Sequence, residues 1–359
     1  MRAVLPVISI HTAANGDPAN ASILVIYTGG TVGMAYNKHG VLAPMRFSEV
    51  NKLMPELRHL RMRVSVLSLP DPIDSSNVTP ANWLMMAAII QENYDQYDGF
   101  VVLHGTDTMA YSASALGYLL ENLAKPVVFT GAQVPVGRIR TDARRNFITA
   151  LDIAAARHPD GTARVPEVSL FFNTLLLRGT RAKKVESQHF AAFKSENLPP
   201  LVRAGIKLEF TDSLIRPLPT EPLQVHTHLD DHVTILKLFP GITEAVVNSI
   251  LGVKGLRGCI LETYGSGNAP TQPWFLRCLE AAHNRGVHIL NVSQCEEGRV
   301  EQGRYETSAS LLARGVLGGD DITTEAAITK LMFVLGLGRS AAETARLLTS
   351  DLRGEISVL

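Results

Sequence analysis

Short, uninterrupted apolar runs alternating with helix-length amphipathic segments constrain this chain more than any other feature. Ile23 to Tyr27, Gly99 to Leu103 and Pro126 to Phe129 are runs of this kind, and Val64 to Leu69 and Val168 to Phe172, broken only by Ser65, Ser68 and Ser169, read as strands with them. Runs so short, bounded by glycine and polar turns, predict strands covered on both faces, which is the pattern of a parallel sheet. The segments between them change period. Thr79-Pro80 predicts a helix start, with Thr as N-cap and Pro in the first helical position. Trp83, Met86, Ala87 and Ile90 then share one face. Asp107 opens a second predicted helix, with Met109, Ala113, Leu116 and Leu120 aligned, and Thr141 to Arg157 reads as a third. Strands alternating with helices imply right-handed crossovers. In such sheets ligands bind at the carboxyl ends of the strands.

A chain of 359 residues exceeds what one core usually organises, so two domains are expected. The texture changes between Asn197 and His232, where Pro199, Pro200, Pro217, Pro219 and Pro222 crowd together. This divides the chain into a loose tail over 1–22, an N-terminal domain over 23–204, a linker over 205–230 and a C-terminal domain over 231–359. In the last, Val233 to Leu238, Gly258 to Leu261 and Val287 to Val292 read as strands. Glu244 to Leu251, Gln272 to Arg285 and Thr324 to Leu335 read as helices. The fold class is α/β: a larger N-terminal, mostly parallel sheet with flanking helices, plus a smaller C-terminal α/β domain.

Charge and cysteine usage exclude several function classes. Lys plus Arg and Asp plus Glu each total 34, so no general field draws the chain to nucleic acid or anionic membrane. Cys259, Cys278 and Cys295 are odd in number and widely spaced. That argues against a metal cluster or disulfide framework and for a reducing, cytoplasmic setting. No apolar run approaches the ~18 residues of a membrane span, and Met1 to Ser22 lacks the apolar core of a signal peptide.

Two Thr/Gly-rich loops fall at predicted strand ends. Thr28-Gly-Gly-Thr31 follows the first strand, and His104-Gly-Thr-Asp-Thr108 follows the third. Paired glycines allow a tight turn and close approach of a substrate. The first loop lacks the Gly-Lys-Ser/Thr of a phosphate loop and the G-x-G-x-x-G of a dinucleotide site. Taken singly, each loop also has a structural explanation. The first is a strand-to-helix turn. In the second, His104 is a packed residue and Asp107 a helix cap.

Together the two loops resemble the paired signatures of the bacterial-type L-asparaginase family, T-G-G-T-[IV] and H-G-T-D-T. Asp74-Ser-Ser-Asn77, Leu120-Glu-Asn122, Thr130-Gly-Ala-Gln133 and Arg178-Gly-x-Arg-x-x-Lys184 are similar to its type I, cytoplasmic branch. So are Leu198-Pro-Pro200, Tyr264-Gly-Ser-Gly-Asn268 and Leu352-Arg-Gly-Glu355, and the likeness runs in order from Ile23 to Ser357. The resemblance implies hydrolysis of L-asparagine, a small-molecule substrate, to aspartate and ammonia through an aspartyl ester. It implies no cofactor and no metal, no nucleic-acid or membrane partner, and a homodimer or homotetramer. Thr31 matches the nucleophile, and Thr106, Asp107 and Lys184 match a second catalytic group. Asp107 would also hold the substrate ammonium, and Ser75 its carboxylate, with Asp74 beside it. Main-chain N–H groups near Thr106 and Ala132 match the oxyanion donors. Asn268 matches a residue that enters the site from a neighbouring subunit.

The chain departs from the family pattern in places. Val41 stands after Gly40 where many members carry a Tyr in a mobile loop. Tyr305 matches a site Tyr of mammalian-like members and is the expected substitute, ahead of Tyr36. A second asparagine site between subunits of some bacterial members uses an Arg and a Thr, where this chain has Glu262 and Lys183; the Cys of that site is matched by Cys295. Two rival readings remain open. One is an amino-acid-binding sensor without catalysis, to which Val41 points. The other is the asparaginase-like subunit of a tRNA-dependent amidotransferase, whose extra N-terminal domain does not fit the 22 residues ahead of Ile23.

Overall fold

A computed structural model describes residues 7–10, 21–36, 42–44, 54–303 and 306–357. It separates into two compact units, one of residues 1–195 and 199–226 and one of residues 196–198 and 227–359.

The first unit is built on a nine-stranded sheet. Its strands are β1 (Val7–Ile10), β2 (Ser22–Gly29), β3 (Arg63–Ile73), β4 (Gly99–Leu103), β5 (Val127–Thr130), β6 (Val168–Phe172), β7 (Leu175–Arg178), β8 (Val202–Ala204) and β9 (Leu208–Phe210). The spatial order is β1-β3-β2-β4-β5-β6-β7-β8-β9. The five central strands, β3-β2-β4-β5-β6, run parallel, and antiparallel strands extend both edges. Every residue of β2, β4, β5 and β6 is buried, so the uninterrupted apolar runs are those of strands covered on both faces.

The helices of this unit are α1 (Pro80–Glu92), α2 (Met109–Leu119) and α3 (Ala143–Ala155). Thr79 and Asn82 close a capping box ahead of α1, with Pro80 in its first turn. Such a cap is worth about 1 kcal/mol. Ile23, Val25 and Tyr27 of β2 share one core cluster with Phe147, Ala150 and Leu151 of α3.

Two segments differ from the sequence reading. Part of the stretch read as a loose tail, Val7–Ile10, pairs antiparallel with β3, as its β-branched composition allows. Residues 11–20 lie outside the described residues. The stretch read as a linker contributes β9 to the sheet edge, and Gln224–Val225 pairs with Leu120–Glu121. Prolines at strand margins are compatible with such edge pairing, and that is how a Pro-rich segment carries strands here.

The second unit has four parallel strands, β10 (Val233–Lys237), β11 (Gly258–Thr263), β12 (His288–Ser293) and β13 (Val316–Gly318), in that order. Its helices are α4 (Glu244–Leu251), α5 (Pro273–Asn284), α6 (Glu306–Leu312), α7 (Thr324–Gly336) and α8 (Ala341–Thr349). No helix among the described residues is long and apolar enough to cross a membrane.

The C-terminal segment is fastened to this unit by buried charge. Lys330 of α7 pairs with Glu355 at 2.7 Å, both side chains 0% exposed, and Lys330 also donates to Ser350 O. Glu355 accepts the N–H groups of Leu352 and Arg353. Removing one partner leaves a buried, uncompensated charge, which costs about 3–5 kcal/mol. Glu355→Gln or Lys330→Met is therefore expected to lower the unfolding free energy by roughly that amount in urea titrations. The double variant Lys330→Met/Glu355→Leu should lose less than the sum of the single changes.

Candidate active site

The parallel strands follow the order 2-1-3-4-5 when numbered along the chain, so the direction of winding reverses between β2 and β4. The carboxyl ends of those strands flank the crevice where doubly wound sheets bind ligands. Both Thr/Gly-rich loops end there. Thr28 Oγ1 donates to Leu103 O at 2.8 Å and ties the two strand ends together.

Glycines let these loops pack backbone against backbone. Gly29 and Gly30 have φ of 128° and 84°, in the region that disfavours side chains. A Cβ on Gly30 would lie 2.5 Å from Gly105 N, and one on Gly29 would lie 2.5 Å from Ile73 O. One on Gly105 would lie 2.5 Å from Ser75 Oγ. The loops carrying Thr31, Ser75 and Thr106 are thus pressed together by contacts no other residue could make. Between Tyr27 and Gly29 the pairing with β3 shifts register, as happens where a strand re-aims its side chains at a site. Thr31 then begins a short turn, Thr31–Gly33, closed by Gly33 N–H on Gly30 O at 3.1 Å.

A second cluster forms around Lys184, which lies on the two-residue strand Lys183–Lys184 paired with Phe193–Lys194. Its Nζ donates to Thr106 Oγ1 at 2.8 Å and to Asp107 Oδ1 at 2.6 Å. Asp107 does not cap the following helix. That helix begins at Met109, and Thr108 Oγ1 donates to Ser75 O at 2.7 Å. The Asp107 carboxylate, 65% exposed, holds Lys184 and still faces outward, where a ligand ammonium can reach it.

Two residues of this site carried no assigned role in the sequence. Thr106 Oγ1 donates to Gln133 Oε1 at 3.3 Å, and Gln133 Nε2 donates to His189 O. Asp142 is buried and accepts the N–H groups of Gln133 and Val134. It fixes the loop that carries buried Ala132. Gln133 was visible as part of Thr130-Gly-Ala-Gln133, but Asp142 reads in sequence as an ordinary residue at a helix start. His104 is a packed residue: it is 1% exposed, and burial pushes its pKa down to about 4.

Ser75 is buried in the short turn Ser75–Asn77, and Asp74 accepts from Ser76 N at its head. Asn268 lies in the second unit, where it exchanges main-chain hydrogen bonds with Tyr264 just after β11. Tyr305 and Val41 lie outside the described residues; the backbone of Tyr36 is in the short strand Met34–Tyr36.

Comparison with known proteins gives the same pattern across the chain. Residues 22–216 match the family model "Asparaginase, N-terminal", and residues 232–348 match "Glutaminase/Asparaginase C-terminal domain". L-asparaginase 1 of Escherichia coli K12 is 40% identical over 338 residues, covering 94% of this chain and 98% of that protein. The 60 kDa lysophospholipase of Homo sapiens is 41% identical over 360 residues, covering 93% of this chain and 61% of that longer protein. The crystal structure of L-asparaginase I from Vibrio cholerae superposes with a TM-score of 0.86 at 38% identity, covering 94% of this chain and 100% of that one. With both domain models matched in order and a relative of this identity aligned end to end, the chain belongs to the asparaginase family.

Proposed function

We propose that this protein hydrolyses L-asparagine to L-aspartate and ammonia in the cytoplasm, using Thr31 as nucleophile. The observation that carries the reading is the Lys184–Thr106–Asp107 cluster, whose two loop members follow Gly105, packed against the Gly30 that precedes Thr31. A threonine hydroxyl attacks only when its proton is taken up. In the proposed first step Thr31 Oγ1 attacks the side-chain amide carbon, the carbon–nitrogen bond breaks, and the nitrogen leaves as ammonia with the proton that the Thr31 hydroxyl gave up. An aspartyl ester remains on Thr31. In the second step the Thr31 Oγ1–carbon bond breaks to free aspartate, Thr31 recovering in the end the proton that Lys184 takes up: water attacks the ester carbon and passes a proton to Thr106 as the Thr106 proton moves to Lys184. That transfer requires Nζ as a free amine at that moment. Asp107 binds the substrate ammonium and Ser75, beside Asp74, its carboxylate. The Thr106 and Ala132 N–H groups receive the developing oxyanion.

The test is ammonia release from L-asparagine by the purified protein, with L-glutamine alongside. Turnover of asparagine supports the reading; saturable binding of asparagine without ammonia release would instead identify a sensor. A cytoplasmic setting is supported by three free cysteines, one of them exposed.

We also propose a homodimer or homotetramer, with Asn268 supplied by a neighbouring copy and Tyr305 near the site. Specific activity is then expected to fall on dilution below the dissociation range, and full activity from a monomer in sedimentation at assay concentration contradicts it.

No positive cooperativity toward asparagine is expected. The Glu262 carboxylate is committed inside the second unit: it accepts from Thr324 Oγ1 at 2.6 Å and pairs with Lys237 Nζ at 3.2 Å. An acid where relatives use an Arg repels an effector carboxylate. The rate curve should be hyperbolic, with a Hill coefficient near one, and a sigmoidal curve overturns this.

A further inference from the structure

The two peptide groups proposed to bind the oxyanion are each held from behind by a buried side chain. A peptide unit is planar, so fixing its carbonyl oxygen fixes the direction of its N–H. The N–H of Thr106 belongs to the same peptide as the carbonyl of Gly105. His104 Nδ1 lies 2.7 Å from that oxygen. The N–H of Ala132 belongs to the same peptide as the carbonyl of Gly131. Asn146 Nδ2 donates to that oxygen at 3.0 Å.

Both side chains have every polar atom committed. A carbonyl only accepts, so His104 Nδ1 carries the proton and Nε2 is the acceptor. Nε2 lies 2.9 Å from Ser112 Oγ, and Ser112 Oγ accepts from Trp83 Nε1 at 2.9 Å. The chain Trp83–Ser112–His104–Gly105 therefore runs in one direction and fixes one tautomer. Burial, which holds the ring neutral down to about 4, agrees with that single tautomer. Asn146 also donates to Asp142 Oδ2 at 3.1 Å and accepts from Asn173 N at 3.1 Å. Its amide orientation is thereby determined, since the reverse would face two acceptors with an acceptor. Asn146 is 0% exposed and His104 1%. The two loops also meet directly, because a Cβ on Gly131 would overlap the His104 carbonyl oxygen, one peptide ahead of the Thr106 N–H.

We infer that His104 and Asn146 are positioning residues that aim the Thr106 and Ala132 N–H groups at the oxyanion through the Gly105 and Gly131 carbonyls. A hydrogen bond to the carbonyl also polarises the peptide and strengthens its N–H as a donor. The effect is on the transition state, where charge develops, more than on substrate binding. The inference rests on the proposed asparagine hydrolysis and its oxyanion donors.

The test compares His104→Ala, His104→Asn, Ser112→Ala and Asn146→Ala by kcat and KM for L-asparagine. In addition, each change is placed in a Thr31→Ala background and the Kd for asparagine measured there. Losing one oxyanion donor outright costs roughly 10²–10³ in kcat, so a misdirected donor should cost about 10- to 100-fold. KM and the Kd are expected to change by no more than about twofold, since the lost interaction is made in the transition state. His104→Asn places an amide N–H near the Nδ1 position and should recover most of the loss. Ser112→Ala, which removes the donor to Nε2 without touching the loop, should show a smaller loss of the same kind and stands in for His104→Ala if that variant does not fold. Three results overturn the inference: unchanged kcat in folded variants, a Kd that weakens in proportion to kcat, or His104→Asn no better than His104→Ala. If Thr31→Ala abolishes turnover while these variants keep it, only the positioning role fails. If Thr31→Ala itself turns over normally, the proposed mechanism fails first.

Discussion

Thr31→Ala is expected to lower asparagine turnover by roughly four to six orders of magnitude, the scale seen when an enzyme loses its nucleophile. The loop should survive the change. It is held by Gly29 against Ile73 and Gly30 against Gly105, by Thr28 Oγ1 on Leu103 O, and by Tyr27 OH on Gly33 O. None of these bonds uses the Thr31 side chain, which is half-buried at the head of its turn. A melting temperature within a degree or two of the parent would match the usual small cost of such a change, about 0.5 kcal/mol or less. Thr31→Ser keeps a hydroxyl and should retain measurable turnover. Near-normal ammonia release from Thr31→Ala, with host enzyme excluded by a parallel mock purification, would sink the nucleophile assignment.

The second large effect is expected at Lys184. Lys184→Met keeps the length of the side chain but removes the group that bonds Thr106 and Asp107. Proton transfer by a positioned group contributes about 10²–10⁴-fold, and a loss of that size is expected in kcat. Thr106→Val removes the hydroxyl at nearly constant volume and should fall in the same range. If the two act as one relay, the double variant loses little more than either alone, because residues that work as a unit are non-additive. Losses that multiply would show two independent roles. Stability is not expected to account for the effect. Asp107 is 65% exposed, so the broken ion pair is worth little.

Much of the candidate site is legible because the residues proposed for its chemistry stand in short local motifs. Thr31, Thr106 and Asp107 sit in loops whose glycines follow apolar strands directly, and β4 and β6 have the limits that their apolar runs predict. Helix starts were legible where the cap is local, as at Thr79-Pro80. They are less legible where a side chain is used at a distance. Asp107 resembles a cap but bonds Lys184, 77 residues away. Asp142, at the head of α3, accepts from Gln133 N, Val134 N and the Asn146 side chain but caps no helix N–H. The strands Val7–Ile10 and Leu208–Phe210 were also missed. An edge strand takes its pairing from a neighbour far along the chain, and nothing in its own few residues announces that neighbour.

The sequence by itself determined the alternation of strands and helices, the two-unit organisation of the α/β class and the residue types available at the strand ends. Those follow from periodicity and turn chemistry, which are local. Only the tertiary structure decided how the strands are ordered, with β2 between β3 and β4, and that order brings the loops of Thr31 and Thr106 to the ends of neighbouring strands. It also decided that Gly30 meets Gly105, that Lys184 reaches Thr106 across 78 residues of chain, and that His104 and Asn146 close on the backs of two peptides. These are contacts between segments distant in sequence. Their geometry depends on strand order, close packing and the need to satisfy every buried polar group, none of which a single stretch of chain specifies.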